Sequence, residues 1–266
     1  MHAELPGVRL WFTDTAGTGP VIVFLHANTG TSANWEYQSK VFSQAGYRVI
    51  AFDRRGWGQS IANPESGPQP GTVADDLHAL AEHLRLDQFH LVGVAGGGFV
   101  ALDYASWHPE RLLSLVVGAS TGAMADPEEV EFRARILSPG FRALPAQFRE
   151  IGPSYLGSNP KGTQEWLEIE EHAQQPGAPS QPLRSPNTYT KIAQIPVRTL
   201  IMAAGADLLA PPALMKQWGM HLPNAEWATV FDAGHSIAWE RPEIFNYNVM
   251  QFLKGHKGQS LSTVEL

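Results

Sequence analysis

Short apolar runs alternate with amphipathic stretches along most of the chain. Strands are predicted where apolar runs are continuous, at residues 21–25, 48–52, 89–94, 112–117, 197–203 and 226–231. Residues 8–12 alternate apolar and polar side chains, which predicts a strand with one buried face. Amphipathic helices are predicted between the strands, at residues 35–44, 72–86, 99–107, 212–221 and 242–255. The pattern predicts an α/β fold, with a largely parallel central sheet that helices cover on both faces.

The pattern changes between residues 123 and 193, where strand-like runs disappear. Links rich in Pro and Gly separate three helical segments, at residues 127–137, 144–151 and 163–174. We therefore divide the chain into a first core part at residues 1–122, a helical insertion at 123–193, a second core part at 194–256 and a polar C-terminal tail at 257–266. Because function gathers at the carboxyl ends of parallel strands, we searched the loops that follow the predicted strands.

The most specific motif lies where the predicted strand at residues 89–94 runs directly into a helix. It reads Gly93-Val94-Ala95-Gly96-Gly97, and side chains at the first and last positions would collide where strand and helix nearly touch. The motif resembles the nucleophile elbow of the α/β-hydrolase family, Gly-x-Ser-x-Gly, with Ala95 in place of the nucleophilic serine. The resemblance extends from about residue 8 to residue 252, and it implies that the insertion is a helical cap over the strand ends.

A candidate acid and a candidate base follow the elbow in the order that the family shows. Asp207 comes after the strand at residues 197–203, and His235 comes after the last strand, within Ala-Gly-His. The resemblance implies that Asp207 orients His235 and that His235 is the base. A carboxylate bonded to one ring nitrogen would fix the tautomer and leave the other nitrogen free to accept a proton. Alternatively, Asp207 could cap the helix that begins near Pro211.

The oxyanion hole of the family uses two backbone N–H groups and needs no serine hydroxyl. The resemblance implies Gly96, at a helix N-terminus, for one of them, and either Ala27 or Asn28 for the other. The Asn28 side chain could add a donor or could hold the loop. We interpret His26, which precedes these residues, as structural.

Ala95 cannot form an acyl-enzyme, so three explanations stay open. Ala95 could be an engineered replacement of serine, the enzyme could use His235 as a base without a nucleophile, or the chain could be a non-catalytic ligand-binding pseudoenzyme. Other hydroxyls in the predicted loops have no motif that aims them; they are Thr29, Thr31, Ser60, Ser120 and Ser236. We favour the second explanation, because a protein that only binds has no need of an oriented base.

Two chemistries fit such a base. His235 could activate water for hydrolysis, including cleavage of a C–C bond as in the meta-cleavage-product hydrolases, which the chain resembles. It could instead deprotonate a substrate that then reacts with oxygen or loses a fragment, as a cofactor-independent oxygenase or lyase does. An apolar or aromatic carbonyl substrate is expected from the candidate pocket walls, which are Trp35, Phe132, Leu137, Phe141, Trp166 and Trp239.

Composition limits the other possibilities. Apolar residues make up 43% and charged residues 17% of the 266-residue chain, which is ample for a large core. The net charge of −7 argues against nucleic-acid binding, and the absence of cysteine excludes thiolate chemistry. No metal-ligand spacing, dinucleotide fingerprint, signal peptide or membrane-spanning run was found. We expect a cytoplasmic monomer or homodimer that acts on a small molecule and needs neither cofactor nor metal.

Overall fold

The computed structural model describes residues 1–255, so the predicted polar tail lies outside the described residues. Nine strands in this range form one sheet in the order β1-β2-β4-β3-β6-β7-β8-β9, and β5 pairs with β2. The strands are β1 (His2–Leu5), β2 (Val8–Asp14), β3 (Val21–Leu25), β4 (Arg48–Phe52), β5 (Ile61–Ala62), β6 (Phe89–Val94), β7 (Leu112–Gly118), β8 (Thr199–Ala204) and β9 (Ala225–Val230). In this spatial order, the neighbouring strands β4, β3, β6, β7, β8 and β9 pair in parallel. The strands β1, β2 and β5 form an antiparallel edge, and β2 pairs with β4 in the antiparallel sense.

Helices cover both faces of this sheet, and those between residues 127 and 173 form the insertion between β7 and β8, which we call the cap. The helices are α1 (Glu36–Gln44), α2 (Val73–His83), α3 (Gly96–Trp107), α4 (Pro127–Ile136), α5 (Pro139–Arg142), α6 (Ala146–Glu150), α7 (Pro153–Ser158), α8 (Pro160–Ala173), α9 (Tyr189–Ile192), α10 (Pro212–Gly219), α11 (Ile237–Glu240) and α12 (Pro242–Leu253). The predicted α/β-hydrolase fold is confirmed. None of the helices within residues 1–255 has both the length and the apolar character that crossing a bilayer requires.

The central strand β3 is apolar at every position because its side chains contribute to two cores. In β3, Ile22 and Phe24 join one buried cluster, whereas Val23 and Leu25 join the other. The first cluster also contains apolar side chains of α1 and α12, and the second contains those of α2, α3 and α10. The alternation of side chains in a strand therefore explains why helices are needed on both faces.

The structure adds short elements that the apolar pattern did not predict. β1 pairs with β2 although it has only two inward-facing side chains, Ala3 and Leu5, which is too short a pattern to recognise. The three-residue glycine run that begins α3 at Gly96 concealed the start of that helix, which we had predicted at residue 99. Glycine disfavours helix, but the turn after β6 imposes it here.

The cap helices α4 to α8 span residues 127–173, and the chain then returns to the core. Gln181 donates to Asp76 of α2, and the Arg184 amide donates to Asp103 of α3. Lys191 also pairs with Asp103, at 2.5 Å. These polar contacts hold the last part of the predicted insertion, up to residue 193, against α2 and α3.

Close backbone contacts shape the turn between β6 and α3. A Cβ on Gly93 would overlap the Gly97 carbonyl, and a Cβ on Gly97 would overlap the Leu25 carbonyl at the end of β3. Between these glycines, Ala95 has φ 49° and ψ −118°. A non-glycine residue in this region is strained by about 1–3 kcal/mol. The Ala95 amide donates to the Gly118 carbonyl at 3.0 Å, which ties the turn to β7.

We predict that Gly97→Ala lowers the free energy of unfolding by about 1–3 kcal/mol, because the new methyl group would force β3 and α3 apart. Gly140→Ala is the matched control, since nothing lies within 4 Å of a Cβ built there. It should raise the free energy of unfolding by about 0.5–1 kcal/mol, as alanine is the better helix former. Urea unfolding of both variants measures this, and equal effects would contradict the packing described.

Candidate active site

A cavity of about 540 Å³ lies between the elbow and the cap. The core contributes the loop after β3, the elbow and the loops after β7, β8 and β9. The cap contributes α4 to α6 and the loops between them. The lining residues are Asn28, Thr29, Ala95, Gly96, Phe99, Thr121, Val130, Arg133, Ala134, Leu137, Arg142, Arg149, Glu150, Leu209 and His235.

The loops after β8 and β9 bring Asp207 and His235 together. The Asp207 Oδ2 atom lies 2.8 Å from His235 Nδ1. The other carboxylate oxygen, Oδ1, accepts from the amides of Leu209 and Ala210 at 2.8 and 2.9 Å. Asp207 therefore turns the loop before α10 and orients the imidazole at the same time. The His235 Nε2 atom has no hydrogen-bond partner within residues 1–255.

The surroundings of His235 favour its protonated form. Burial is the largest single effect and lowers the pKa of the imidazole, but the charge and the hydrogen bond of the Asp207 carboxylate both raise it. Glu150 and Glu240 add to this effect, and the pKa of His235 is raised from 6.5 to about 9. The folding free energy contributed by the imidazolium is therefore fully present below pH 6.5 and is lost as the pH rises through 9.

Glu240, at the end of α11, holds the cap against the His235 loop. Its Oε2 accepts from the Gly152 amide at 2.9 Å and from the Gly234 amide at 2.8 Å. Burial raises the pKa of Glu240 to about 7, although both amide donors act in the opposite direction. The residue before His235 is thus fixed by a side chain that also anchors the start of α7.

Gly96 and Asn28 meet beside Ala95. A Cβ on Gly96 would overlap the Asn28 Oδ1 atom and lie 3.5 Å from the Asn28 amide nitrogen. Neither the Gly96 nor the Asn28 amide has an acceptor within residues 1–255, and both residues line the large cavity. Ala27 instead lines a smaller cavity of about 30 Å³ on the other side of His235. Of the two residues that the resemblance offers for the second oxyanion-hole amide, Asn28 lines the same cavity as Ala95, and Ala27 does not.

The Asn28 and His26 side chains hold the loop after β3. Asn28 Oδ1 accepts from Arg54 Nη2 at 2.7 Å. His26 Nδ1 lies 2.7 Å from the Ala27 carbonyl, and His26 Nε2 accepts from the Arg54 amide at 3.2 Å. Burial, followed by the nearby Arg54 charge, lowers the pKa of His26 to about 3. This histidine is therefore neutral and serves as a backbone brace.

Glu150 is a carboxylate of the cavity that we did not predict. It is buried at the end of α6, and its Oε2 accepts from the Thr29 hydroxyl at 3.1 Å. Its carbonyl accepts from the Ser236 amide, next to His235. Burial raises the pKa of Glu150, against the effects of His235 and Thr29. In the sequence, Glu150 is one acidic residue at the end of an amphipathic helix, with nothing to set it apart.

Three cap arginines in the cavity wall were also not predicted. Arg133, Arg142 and Arg149 line it, and each donates to a backbone carbonyl of the cap, of Met124, Leu137 and Leu144 respectively. Among the candidate wall residues, Leu137 lines this cavity, whereas Phe132 and Phe141 do not. Trp35, Trp166 and Trp239 line the smaller cavity.

Trp35 and Trp166 are almost fully buried core residues. Trp35 stacks on Phe24 at 4.5 Å between ring centroids, and Trp166 and Trp239 belong to a cluster between cap and core. Trp239 Nε1 donates to the Gly162 carbonyl at 3.1 Å, which further attaches α11 to the cap. The three indoles thus pack the base of the cap, and the polar wall of the large cavity consists of different residues.

Two of the alternative hydroxyls are used by the backbone. The Ser120 hydroxyl donates to the Ala95 carbonyl at 2.8 Å. The Ser60 hydroxyl donates to the Asp53 carbonyl at 2.5 Å. Both serines are fully buried and hold the turns in which they lie. Their oxygen atoms are structural acceptors and donors.

The remaining alternatives differ in position. Thr29 lines both cavities and donates to Glu150, while Ser236 lines the smaller one. Thr31 accepts from the Ala33 amide and caps the 3₁₀ segment Ser32–Trp35. Within residues 1–255, no group of three or more His, Asp or Glu side chains is placed to hold a metal ion.

The sequence of the chain is similar to those of known enzymes over most of its length. It is 26% identical over 264 residues to a 2-hydroxy-6-oxononadienedioate/2-hydroxy-6-oxononatrienedioate hydrolase from Paraburkholderia phymatum, with 92% of this chain and 91% of the relative covered. It is 27% identical over 270 residues to a proline iminopeptidase from Lactobacillus helveticus, with 89% and 90% covered.

The fold is also similar to solved structures. A thermophilic esterase from Thermogutta terrifontis matches with a TM-score of 0.78 and 25% identity, covering 96% of this chain and 98% of the esterase. An enol-lactonase from Burkholderia xenovorans LB400 has the same TM-score at 22% identity, covering 96% and 100%, and so shares the fold. The sequence profile of the alpha/beta hydrolase family matches residues 22–246. The chain therefore belongs to the alpha/beta hydrolase family.

Proposed function

We propose that the protein is a hydrolase-type enzyme that acts on a small carbonyl compound without a covalent serine intermediate. The observation that supports this most strongly is the shared cavity. His235, held by Asp207 at 2.8 Å, opens into the same space as Ala95 and the unpaired Gly96 amide. A base and an anion-binding amide are kept together although the attacking oxygen is absent.

In this proposal the His235 imidazole, when neutral, accepts a proton at Nε2. The proton comes either from a water molecule that attacks the carbonyl carbon or from the carbon next to that carbonyl. In both cases negative charge develops on the carbonyl oxygen. The amides of Gly96 and Asn28 would donate to that oxygen, and the N-terminus of α3 favours its charge. Asp207 balances the imidazolium that forms.

The cavity walls favour a substrate with an apolar body and a carboxylate. Phe99, Leu137 and Leu209 supply apolar surface. The cap arginines supply cations that pair well with carboxylates, and Arg side chains suit this role through their planar donors. The dienedioate hydrolase is named for a dicarboxylate substrate, and the esterase structure holds malate. We therefore extend the expected apolar or aromatic substrate to one that also carries an acidic group.

The other interpretations make different predictions about Ala95. If Ala95 replaced a serine in an esterase, by engineering or by decay, the remaining residues should turn over esters much faster than wild type as soon as the hydroxyl returns. If the chain only binds ligands, a bound ligand should never be converted. Oxygenase or lyase chemistry would use the same proton transfer, and the product identifies it.

We predict that His235→Gln lowers kcat at least 100-fold, because a glutamine cannot take up the proton. His221→Gln is the matched control, since that histidine stacks on Tyr189 away from the cavity and should leave kcat unchanged. Steady-state kinetics on small carboxylated ketones and esters, with circular dichroism to check folding, measure the effect. Retained turnover in His235→Gln would remove the proposed base.

We predict that kcat/KM rises with pH, reaches half of its maximum near pH 9 and levels off only above that pH, because the base must be deprotonated and the pKa of free His235 is raised to about 9. Glu240→Gln keeps an oxygen for the Gly152 and Gly234 amides but removes a charge that raises this pKa. The rise of kcat/KM in Glu240→Gln should therefore occur at lower pH than in wild type. A decrease in kcat/KM between pH 7 and 9 would contradict the assignment of His235 as the base.

We predict that fluorophosphonate probes leave the wild-type chain unlabelled and label Ala95→Ser, because the elbow would aim the new hydroxyl into the cavity. The double variant Ala95→Ser/His235→Gln, analysed by mass spectrometry beside the single variant, should label poorly. Restoring the hydroxyl should not raise ester turnover above the wild-type level. A large gain would instead favour the engineered or decayed esterase.

A further inference from the structure

The interior of the protein holds an arginine whose charge is balanced by no acidic side chain among residues 1–255. Arg54 follows β4 and is only 9% exposed. Its neighbour Arg55 is equally buried but pairs with Asp76 at 2.6 Å. Arg54 forms no salt bridge with any residue in the range 1–255. Burial lowers its pKa to about 10, so the guanidinium is still charged at neutral pH.

Within residues 1–255, only one of the three nitrogens of the Arg54 guanidinium donates hydrogen bonds. Nη2 donates to Asn28 Oδ1 at 2.7 Å and to the Ala27 carbonyl at 3.4 Å. Nε is buried without a partner, and Nη1 has no acceptor in the described part of the chain. The Trp57 ring lies 4.1 Å from the guanidinium carbon and compensates part of the charge. Because an unpaired buried cation is costly, an acceptor is missing from this arrangement.

A cavity of about 190 Å³ lies next to Arg54 and could supply that acceptor. It is lined by Asn28, Arg54, Trp57, Gln174, Ser180 and Gln181. None of these side chains is acidic, and most can donate hydrogen bonds. The volume equals that of roughly six water molecules, which is enough for a small organic acid. Asn28 also lines the large cavity, so the two spaces share a wall.

We propose that this cavity binds a small carboxylate, held by the Arg54 guanidinium. The carboxylate would accept from the donors of Arg54 that have no protein partner. The ligand is either a free small acid or the acidic tail of the substrate, which would pass Asn28 from the large cavity. The site is separate from His235 and the cap arginines, so binding of a free acid does not depend on the proposed reaction, whereas binding of the tail of the substrate rests on the proposed function.

Thermal unfolding tests this site, with sodium acetate replacing sodium chloride at constant ionic strength. Acetate should raise the Tm of the wild-type chain by several degrees in a saturable manner. Arg149→Gln, which removes a cation from the large cavity, should keep this rise. Arg54→Met should lose it, because no other cation among the described residues lines this cavity.

A second variant covers the case in which Arg54→Met does not fold. Ser180 lies in an exposed loop, so Ser180→Phe should fold normally while its ring fills the cavity and weakens acetate binding at least tenfold. No saturable rise in wild type, or a full rise in Arg54→Met or Ser180→Phe, would overturn the site.

Pimelate, a dicarboxylate with a seven-carbon chain, distinguishes the two sources of the ligand. If the site receives the tail of the substrate, pimelate should bind at least tenfold more tightly than acetate, and Arg149→Gln should remove this advantage. If the site takes a free acid, the two dissociation constants should be similar. In both cases binding should be lost in Arg54→Met, and binding that survives this change would contradict the proposal.

Discussion

The contact between Gly97 and the Leu25 carbonyl is the constraint on which the rest of the site depends. It brings the N-terminus of α3 against the end of β3, at a distance that no side chain tolerates. The turn that makes this contact holds Ala95 at φ 49° and leaves the Gly96 amide beside Asn28. The strain at Ala95 is usually associated with presenting a serine. Here it still sets the positions of backbone donors, which explains how the geometry can matter without the hydroxyl.

Electrostatics divide the large cavity into two parts. The side of His235 is rich in buried carboxylates, which raise its pKa, and the cap side is rich in arginines. Such a separation would orient a polar substrate with its acidic end towards the cap. On the side of His235, Asp207 has two tasks. One carboxylate oxygen orients the imidazole, and the other fixes the loop before α10. Glu240 then attaches that site to the cap through two amides.

Much of the fold and the centre of the candidate site could be predicted because they depend on local patterns. The apolar run of β3 is a local pattern, and Gly93 packs on Gly97 within the same motif, although Gly97 itself packs on the distant Leu25 carbonyl. His235 and Asp207 each follow a strand, and the parallel sheet brings such strand ends together. The topology therefore grouped these two loops, and the resemblance to the α/β-hydrolase family implied that the two side chains pair.

The remainder could not be predicted because it depends on how distant segments pack. Glu150 and Arg149 face the cavity, whereas Phe141 in the same cap does not, and no periodicity in the short helices distinguishes them. Arg54 and Arg55 are adjacent in sequence, yet only Arg55 meets a carboxylate, which α2 provides. The expectation of aromatic side chains in the cavity wall rested on residue type alone. Trp35 instead stacks on Phe24 in the core, and residue type does not distinguish these two positions.

The central claim is that turnover proceeds with no covalent bond between substrate and protein. Intact-protein mass spectrometry of samples quenched within milliseconds of mixing with substrate tests this most directly. The account predicts the unmodified mass of the chain at every time point while product accumulates. A transient mass increase equal to the acyl part of the substrate, mapped to Thr29, Ser236 or Glu150, would contradict it.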